Sequence, residues 1–207
     1  DQSYSNDLSK INDFINSENC AFRKVNLDFK KLREFSTKRF SINMGSIDLN
    51  LFDKEQKIGS GGFGVVYKVF NKETGSTYAA KISIYEMDQC SDDIVTNLIR
   101  EINIMSKLKH PAILKYIGYS PNNFKGKPKP IIMTELAENG SLQYILDLER
   151  KGIGHHNWDD TKKLINIYGI ASAMQYMHNN HILHRDLKPA NILLDENFYP
   201  KIADFGI

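Results

Sequence analysis

Apolar residues change period part-way along this chain, from alternation between the two faces of strands to recurrence every third or fourth position. From residue 54 to residue 135 the strand pattern dominates. Val65, Val66, Tyr67, Val69 and Phe70 form a β-rich run, turn residues occupy 71–75, and a second run covers 77–85. Residues 92–109 interrupt with Ile94, Leu98, Met105 and Leu108 at helical spacing, and His110-Pro111 closes that helix because proline cannot continue it. Residues 113–119 and 129–135 supply two more strands, giving a five-stranded antiparallel sheet with one helix. After Asn139-Gly140 the period turns helical over 142–151 and 159–178, with Leu164, Ile167, Ala171 and Met174 on one face. Short strands at 192–194 and 201–203 bracket a turn at 195–200. The fold class is α+β, a sheet-rich part followed by a helical part, with no internal repeat.

Residues 1–48 read as an N-terminal extension, free of proline and mixed in charge, in which Leu8, Ile11 and Ile15 are spaced for a short amphipathic helix. The basic stretch at 30–41 reads as solvated linker rather than as a docking site. The 207 residues have ordinary globular composition, 41% hydrophobic and 25% charged. With 27 Lys+Arg against 25 Asp+Glu the net charge is only +2, without the basic face that nucleic-acid binding needs. No apolar run approaches the roughly 20 residues that span a bilayer. Cys20 and Cys90 lack metal-ligand spacing and fit reduced thiols, so a cytoplasmic setting is expected.

Chemistry enters with Gly59-Ser60-Gly61-Gly62-Phe63-Gly64, which leads into Val65-Val66 between two strand patterns. Glycines at this spacing let a backbone pass close over phosphates. A dinucleotide-binding turn would open a helix after Gly64, but residues 65–70 are strongly β. An ordinary Gly-rich hairpin stays open at this point. On the following strand, alternation sets Tyr78, Ala80, Ile82 and Ile84 on one face and Ala79, Lys81 and Ser83 on the other. Glu101 falls inside the apolar stripe of the next helix, where a carboxylate needs a partner, and Lys81 is the economical one. The alternative is a Glu101 that rotates to solvent.

Further on, His184-Arg185-Asp186-Leu187-Lys188-Pro189-Ala190-Asn191 and Asp204-Phe205-Gly206 gather a carboxylate, cations and oxygen ligands. Phosphoryl transfer needs an oriented acceptor hydroxyl, charge neutralisation and metal ligands, and these residues supply all three. From about residue 51 to residue 207 the chain resembles the eukaryotic protein kinase superfamily. The resemblance implies a two-lobed fold, with an N-lobe at 49–137 and part of a helical C-lobe at 138–207. It implies ATP and Mg2+ as cofactors, a protein substrate, no nucleic acid and no membrane span, and leaves the oligomeric state open.

By that likeness Asp186 is the catalytic base, Lys188 contacts the γ-phosphate, and Asn191 and Asp204 hold magnesium. Lys81, paired with Glu101, holds the α- and β-phosphates under the loop of Gly59, Ser60, Gly61, Gly62, Phe63 and Gly64. Ile58, Val66, Ala79 and Leu193 enclose adenine, backbone groups of Glu135 and Ala137 bond its edge, and Thr134 stands at the gatekeeper position. Arg185 resembles the arginine that meets an activation-segment phosphate. Lys188 is similar to serine/threonine kinases. Thr134-Glu135, Gly140-Ser141-Leu142 and Trp158 resemble the tyrosine-kinase-like group. The chain reads as truncated just after Asp204-Phe205-Gly206, so this piece alone is expected to be inactive. The alternative from another class is a non-catalytic, nucleotide-binding scaffold.

Overall fold

The computed structural model describes residues 45–205, apart from Phe63 and Asp88. The expected helix around Leu8, Ile11 and Ile15, the basic stretch at 30–41, Cys20, Phe63 and Gly206 lie outside the described residues.

Strands β1 (Phe52–Gly61), β2 (Gly64–Asn71), β3 (Thr77–Ser83), β4 (Tyr116–Ser120) and β5 (Ile131–Glu135) form one antiparallel sheet in the order β1-β2-β3-β5-β4. The β2–β3 turn is built by Asn71, whose Oδ1 accepts from the N–H groups of Glu73 and Thr74, both at 2.9 Å, while Gly75 takes a φ of 69°. In β5 Ile131, Ile132 and Met133 are all buried, as expected for a strand covered on both faces. Ile131 and Met133 join Phe52, Val69 and Ala80 in one cluster, and Ile132 faces the other way into a second. The expected apolar face of β3 stops short: the strand ends at Ser83, and Ile84 beyond it is exposed.

Helix α1 (Asp92–Lys107) packs Ile102 and Met105 into that second cluster. It ends before the expected stop at His110-Pro111, because Leu108 already takes extended backbone and carries its side chain into the core. The strand expected over 113–119 is also divided. Only its later part joins β4. Leu114 N–H donates to the Ile202 carbonyl and Ile202 N–H to the Ala112 carbonyl, so the earlier part supplies backbone partners to the C-terminal half.

Helices α2 (Leu142–Arg150) and α3 (Asp160–Asn179) are capped by Ser141 Oγ, accepting from Tyr144 N–H, and by a carboxylate oxygen of Asp159, accepting from Lys162 N–H. The hairpin β6 (Ile192–Leu194) and β7 (Pro200–Ile202) follows a 3-10 turn at Pro189–Asn191. The stripe that spacing marks on α3 is divided by the packing. Leu164 and Ile167 are 66% and 67% exposed, whereas Asn166, Ala173 and Met177 are buried and both Ile170 and Met174 pack against the core. This helix carries apolar residues on more than one side, so periodicity alone did not choose the face. Packing against β7 and Phe198 did: Asn166 Nδ2 donates to the Phe198 carbonyl at 2.9 Å.

The second cluster joins Ile102, Met105 and Ile132 to Ala173, Met177, Ile202 and Phe205, so one core runs from the sheet through α1 into the helical part. Residues 45–47 lie parallel to β4, with Ile47 N–H donating to the Tyr119 carbonyl at 3.1 Å and Tyr119 N–H to the Gly45 carbonyl at 3.0 Å. Gly118 permits this approach, since a Cβ there would run into the Gly45 carbonyl. Among the described residues no helix is long and apolar enough to cross a membrane.

Candidate active site

Strand register places the first candidate residues. Gly59 pairs with Val66, Val66 with Lys81, and Ala79 with Thr134. The glycine hairpin linking β1 and β2 is exposed at Ser60, Gly61 and Gly62, and a Cβ on Gly61 or Gly62 would meet nothing within 4 Å. Gly64 is different: a Cβ there would stand 2.7 Å from the Ile82 carbonyl oxygen, so glycine lets β2 close onto β3. Ile58 is 44% exposed, and neither it nor Val66, Ala79 or Leu193 belongs to any of the three core clusters.

The polar residues form one chain of contacts. Lys81 Nζ lies 2.9 Å from Glu101 Oε1 and 3.1 Å from Asp204 Oδ1, so α1 and the Asp204 loop meet on one cation. Burial alone would lower the Lys81 ammonium, but Glu101 and Asp204 outweigh it and hold the group above its usual 10.5. In the loop before the 3-10 turn, Asp186 Oδ2 accepts from Lys188 Nζ at 2.7 Å and from Asn191 Nδ2 at 2.9 Å. Those two hydrogen bonds, Lys188's first, hold the Asp186 carboxyl below its usual range. His184, 1% exposed, donates from Nε2 to the Ala203 carbonyl at 3.0 Å and accepts the Asp186 N–H on Nδ1 at 3.4 Å. A carbonyl can only accept, which assigns the tautomer. Its ring also lies 5.4 Å from that of buried Phe205.

The groups left over define what could bind. Asn191 gives both amide protons to Asp186, so its carbonyl oxygen remains an acceptor, as does Asp204 Oδ2. Two hard oxygens with room for phosphate and water suit Mg2+, which seldom takes an all-protein cage. The Ala137 N–H has no partner among the described residues, whereas Glu135 N–H is spent on the Lys115 carbonyl. Four half-exposed apolar side chains, an unpaired amide, a lysine and two oxygen donors fit a magnesium nucleotide.

Thr134 is buried in β5, its hydroxyl donating to the Glu135 carbonyl. One cluster here was not singled out from the sequence. Lys201 Nζ lies 3.4 Å from Glu135 and 3.9 Å from Asp195 Oδ2. A lysine in a three-residue strand reads as solvated, and Glu135 stands 66 positions away, so no local pattern announces the pair. A cavity of about 290 Å3 lined by Ile84, Tyr85, Glu86, Gln89, Cys90 and Lys129 contains none of the candidate residues.

A family model of the protein kinase domain matches residues 52–207, well over half of the chain. The chain belongs to the protein kinase family. In kinase terms, the five-stranded sheet with α1 is the N-lobe, and α2, α3 and the β6–β7 hairpin are part of the helical C-lobe. The chain is 32% identical over 193 residues to a probable L-type lectin-domain containing receptor kinase S.5 of Arabidopsis thaliana, covering 92% of this chain and 26% of that protein. It is 35% identical over 162 residues to the serine/threonine-protein kinase CTR1 of the same plant, covering 77% and 18%. Against an Aurora kinase of Saccharomyces cerevisiae it is 33% identical over 162 residues, covering 78% and 41%. The chain spans about a quarter of the length of the first curated relatives it matches.

Proposed function

We propose that this kinase chain acts in the transfer of the γ-phosphate of ATP to serine or threonine hydroxyls of a protein substrate. The observation that carries the reading is the run of contacts Glu101–Lys81–Asp204 beside the cluster Lys188–Asp186–Asn191. On this reading residues 49–137 face the nucleotide and residues 138–207 carry the catalytic loop. Ile58, Val66, Ala79 and Leu193 enclose the purine, and the Glu135 carbonyl and Ala137 N–H meet its edge. Lys81, oriented by Glu101, faces the α- and β-phosphates below the loop from Gly59 to Gly64.

Asp186 has one oxygen occupied by Lys188 and Asn191, which leaves Oδ1 to accept the substrate hydroxyl proton. Its lowered pKa keeps it ionised at neutral pH, so it orients the hydroxyl as an anion. The hydroxyl oxygen bonds to the γ-phosphorus, the bond from that phosphorus to the β–γ bridging oxygen breaks, and the proton passes to Asp186. Lys188 faces the transferred group, and Asn191 and Asp204 hold magnesium, which when bound neutralises charge on the phosphate oxygens. Specificity for serine and threonine rests on Lys188 in the catalytic loop. Relatives named as serine/threonine-protein kinases support it, as does the likeness of Gly140-Ser141-Leu142 to the tyrosine-kinase-like group.

The test is transfer of labelled γ-phosphate from ATP to a mixed protein substrate by the full-length protein, followed by phosphoamino-acid analysis. Label on serine and threonine is expected, with Asp186→Asn slower by roughly 10²–10⁴-fold. Undiminished labelling by Asp186→Asn overturns its role, and label on tyrosine alone overturns the specificity.

A further inference from the structure

Lys201 is a cation in a three-residue strand, yet its side chain is only 15% exposed, and the two carboxylates it meets come from different parts of the fold. Glu135 closes β5 at the start of the segment 135–137 that meets the purine edge on the reading above, the hinge, and Asp195 opens the turn between β6 and β7. Glu135 is fixed at three points. Its N–H donates to the Lys115 carbonyl at 2.9 Å, its Oε1 accepts from Lys115 N–H at 2.8 Å, and its Oε2 accepts from Lys201 Nζ at 3.4 Å. Asp195 is equally committed. Its Oδ1 accepts from the N–H groups of Asn197 and Tyr199, both at 2.9 Å, and its backbone carbonyl accepts from Asn139 Nδ2 at 2.6 Å. Asn139 N–H in turn donates to the Leu194 carbonyl, and Leu194 N–H to the Gly140 carbonyl. Lys201 therefore stands where the end of the sheet, the chain leaving the hinge and the β6–β7 hairpin are joined.

We propose that Lys201 is a positioning residue for the purine: it ties Glu135 to Asp195 and so sets the hinge backbone, including the Ala137 N–H two residues on, against the hairpin that carries Leu193. This deepens the nucleotide reading above and rests on it. Without Lys201 the two carboxylates, still held by the Lys115, Asn197 and Tyr199 N–H groups, face each other with no cation between them among the described residues, and the hinge strand and the hairpin lose their common anchor. Lys201 touches neither phosphate-facing Lys81 nor the catalytic loop, so its removal acts on purine recognition and leaves the phosphate contacts in place.

The experiment is calorimetric titration of the full-length protein with MgADP and, separately, with magnesium tripolyphosphate, which has no purine. Lys201→Met is expected to weaken MgADP about tenfold, equivalent to about 1.4 kcal/mol, while tripolyphosphate binding changes less than about twofold. Lys201→Arg, which can still bridge two carboxylates, is expected to restore ADP binding to within about threefold of the unmodified protein. ADP binding that is unchanged in Lys201→Met, or that falls in step with tripolyphosphate, overturns the proposal. Should Lys201→Met not fold by circular dichroism, Glu135→Gln decides: a purine-selective loss supports the assignment and unmodified binding overturns it. Failure of the unmodified protein to bind MgADP at all removes the nucleotide reading itself, an outcome distinct from the other two.

Discussion

Replacing Glu101 by glutamine keeps the size of the side chain and removes only its charge, so it isolates what the carboxylate does for Lys81. In the structure Lys81, Glu101 and Asp204 are 27%, 16% and 59% exposed, with ammonium–oxygen distances of 2.9 and 3.1 Å. Solvent screens the Asp204 contact more, so Glu101 is the stronger tie. Gross attraction between unit charges 4 Å apart is about 4 kcal/mol at an effective dielectric constant of ~20, but desolvation offsets much of it. A hydrogen bond to a charged group contributes about 1.5–3 kcal/mol net against about 0.5–1.5 for a neutral one. The expected loss for Glu101→Gln is therefore about 1–2 kcal/mol, a fall of roughly 2–8 °C in Tm for a domain of this size. Lys81 titrates above 10.5 when folded, so the pair's contribution is fully present below 10.5 and is lost as pH rises through the higher folded value. Burial also pushes the Tyr119 phenol up to about 12 and raises Tyr116, and both phenols weaken the folded state in the same alkaline window. They are common to both proteins and cancel in the difference. Urea denaturation of the two proteins, at pH 7 and in steps above 10.5, should show a gap that closes as pH rises. A gap of zero at pH 7, or one that persists undiminished in alkali, refutes the assignment of Glu101 as the partner that holds Lys81 charged.

Gly64→Ala should cost about 1–3 kcal/mol in urea unfolding, because its Cβ would stand 2.7 Å from a strand carbonyl that cannot move alone; an unchanged midpoint contradicts that packing. Met177→Ala should cost about 2–5 kcal/mol, whereas Leu164→Ser, at a site 66% exposed, should stay within about 0.5, and equal effects would contradict the assigned face of α3. Asp204→Asn should abolish magnesium-dependent phosphate transfer, checked by titrating the metal at saturating ATP, and a variant with an unchanged magnesium curve removes Asp204 from the metal site.

What could be read in advance was what local pattern encodes. The side of β3 that carries Lys81 follows from alternation alone, and the position of Glu101 in the α1 stripe follows from helical spacing. Their contact needed only that the helix pack on the strand. Which side of α3 meets the core was not legible, because the stripe Leu164, Ile167, Ala171 and Met174 overlaps the buried one of Asn166, Ile170, Ala173 and Met177: Met174 packs inward while Leu164 and Ile167 face water. The second stripe even includes a buried asparagine, whose placement depends on the Phe198 carbonyl 32 positions away. The run at 113–119 was divided for a related reason: its local pattern does not mark where one pairing ends, and it is the distant backbone of Ile202 that claims Leu114 and its neighbour Ala112. The Lys201 cluster is the same case among charges. Period reveals which residues face inward within one element, while partners across elements are set by topology.

The backbone around the candidate catalytic residues breaks a local rule, and the surrounding hydrogen bonds account for it. Arg185 and Asp204 have φ values of 64° and 51°, in the left-handed region that favours glycine, at a cost on the order of 1–3 kcal/mol each. Glycine would relieve that strain at either place. At Asp204, however, it would delete the carboxylate that meets Lys81. The conformation persists because a closed ring of hydrogen bonds encloses both positions. Asp186 N–H donates to His184, His184 to the Ala203 carbonyl, Ala203 N–H to the Asn191 carbonyl, and Asn191 Nδ2 back to the Asp186 carbonyl. Relaxing Arg185 would turn Asp186 and break the first and last of these bonds, leaving buried His184 and Asn191 with unsatisfied groups at about 1–3 kcal/mol each. Relaxing Arg185 thus leaves two unsatisfied groups against the strain of one residue, so Asp186 stays tied to Ala203, the neighbour of Asp204, before any ligand arrives.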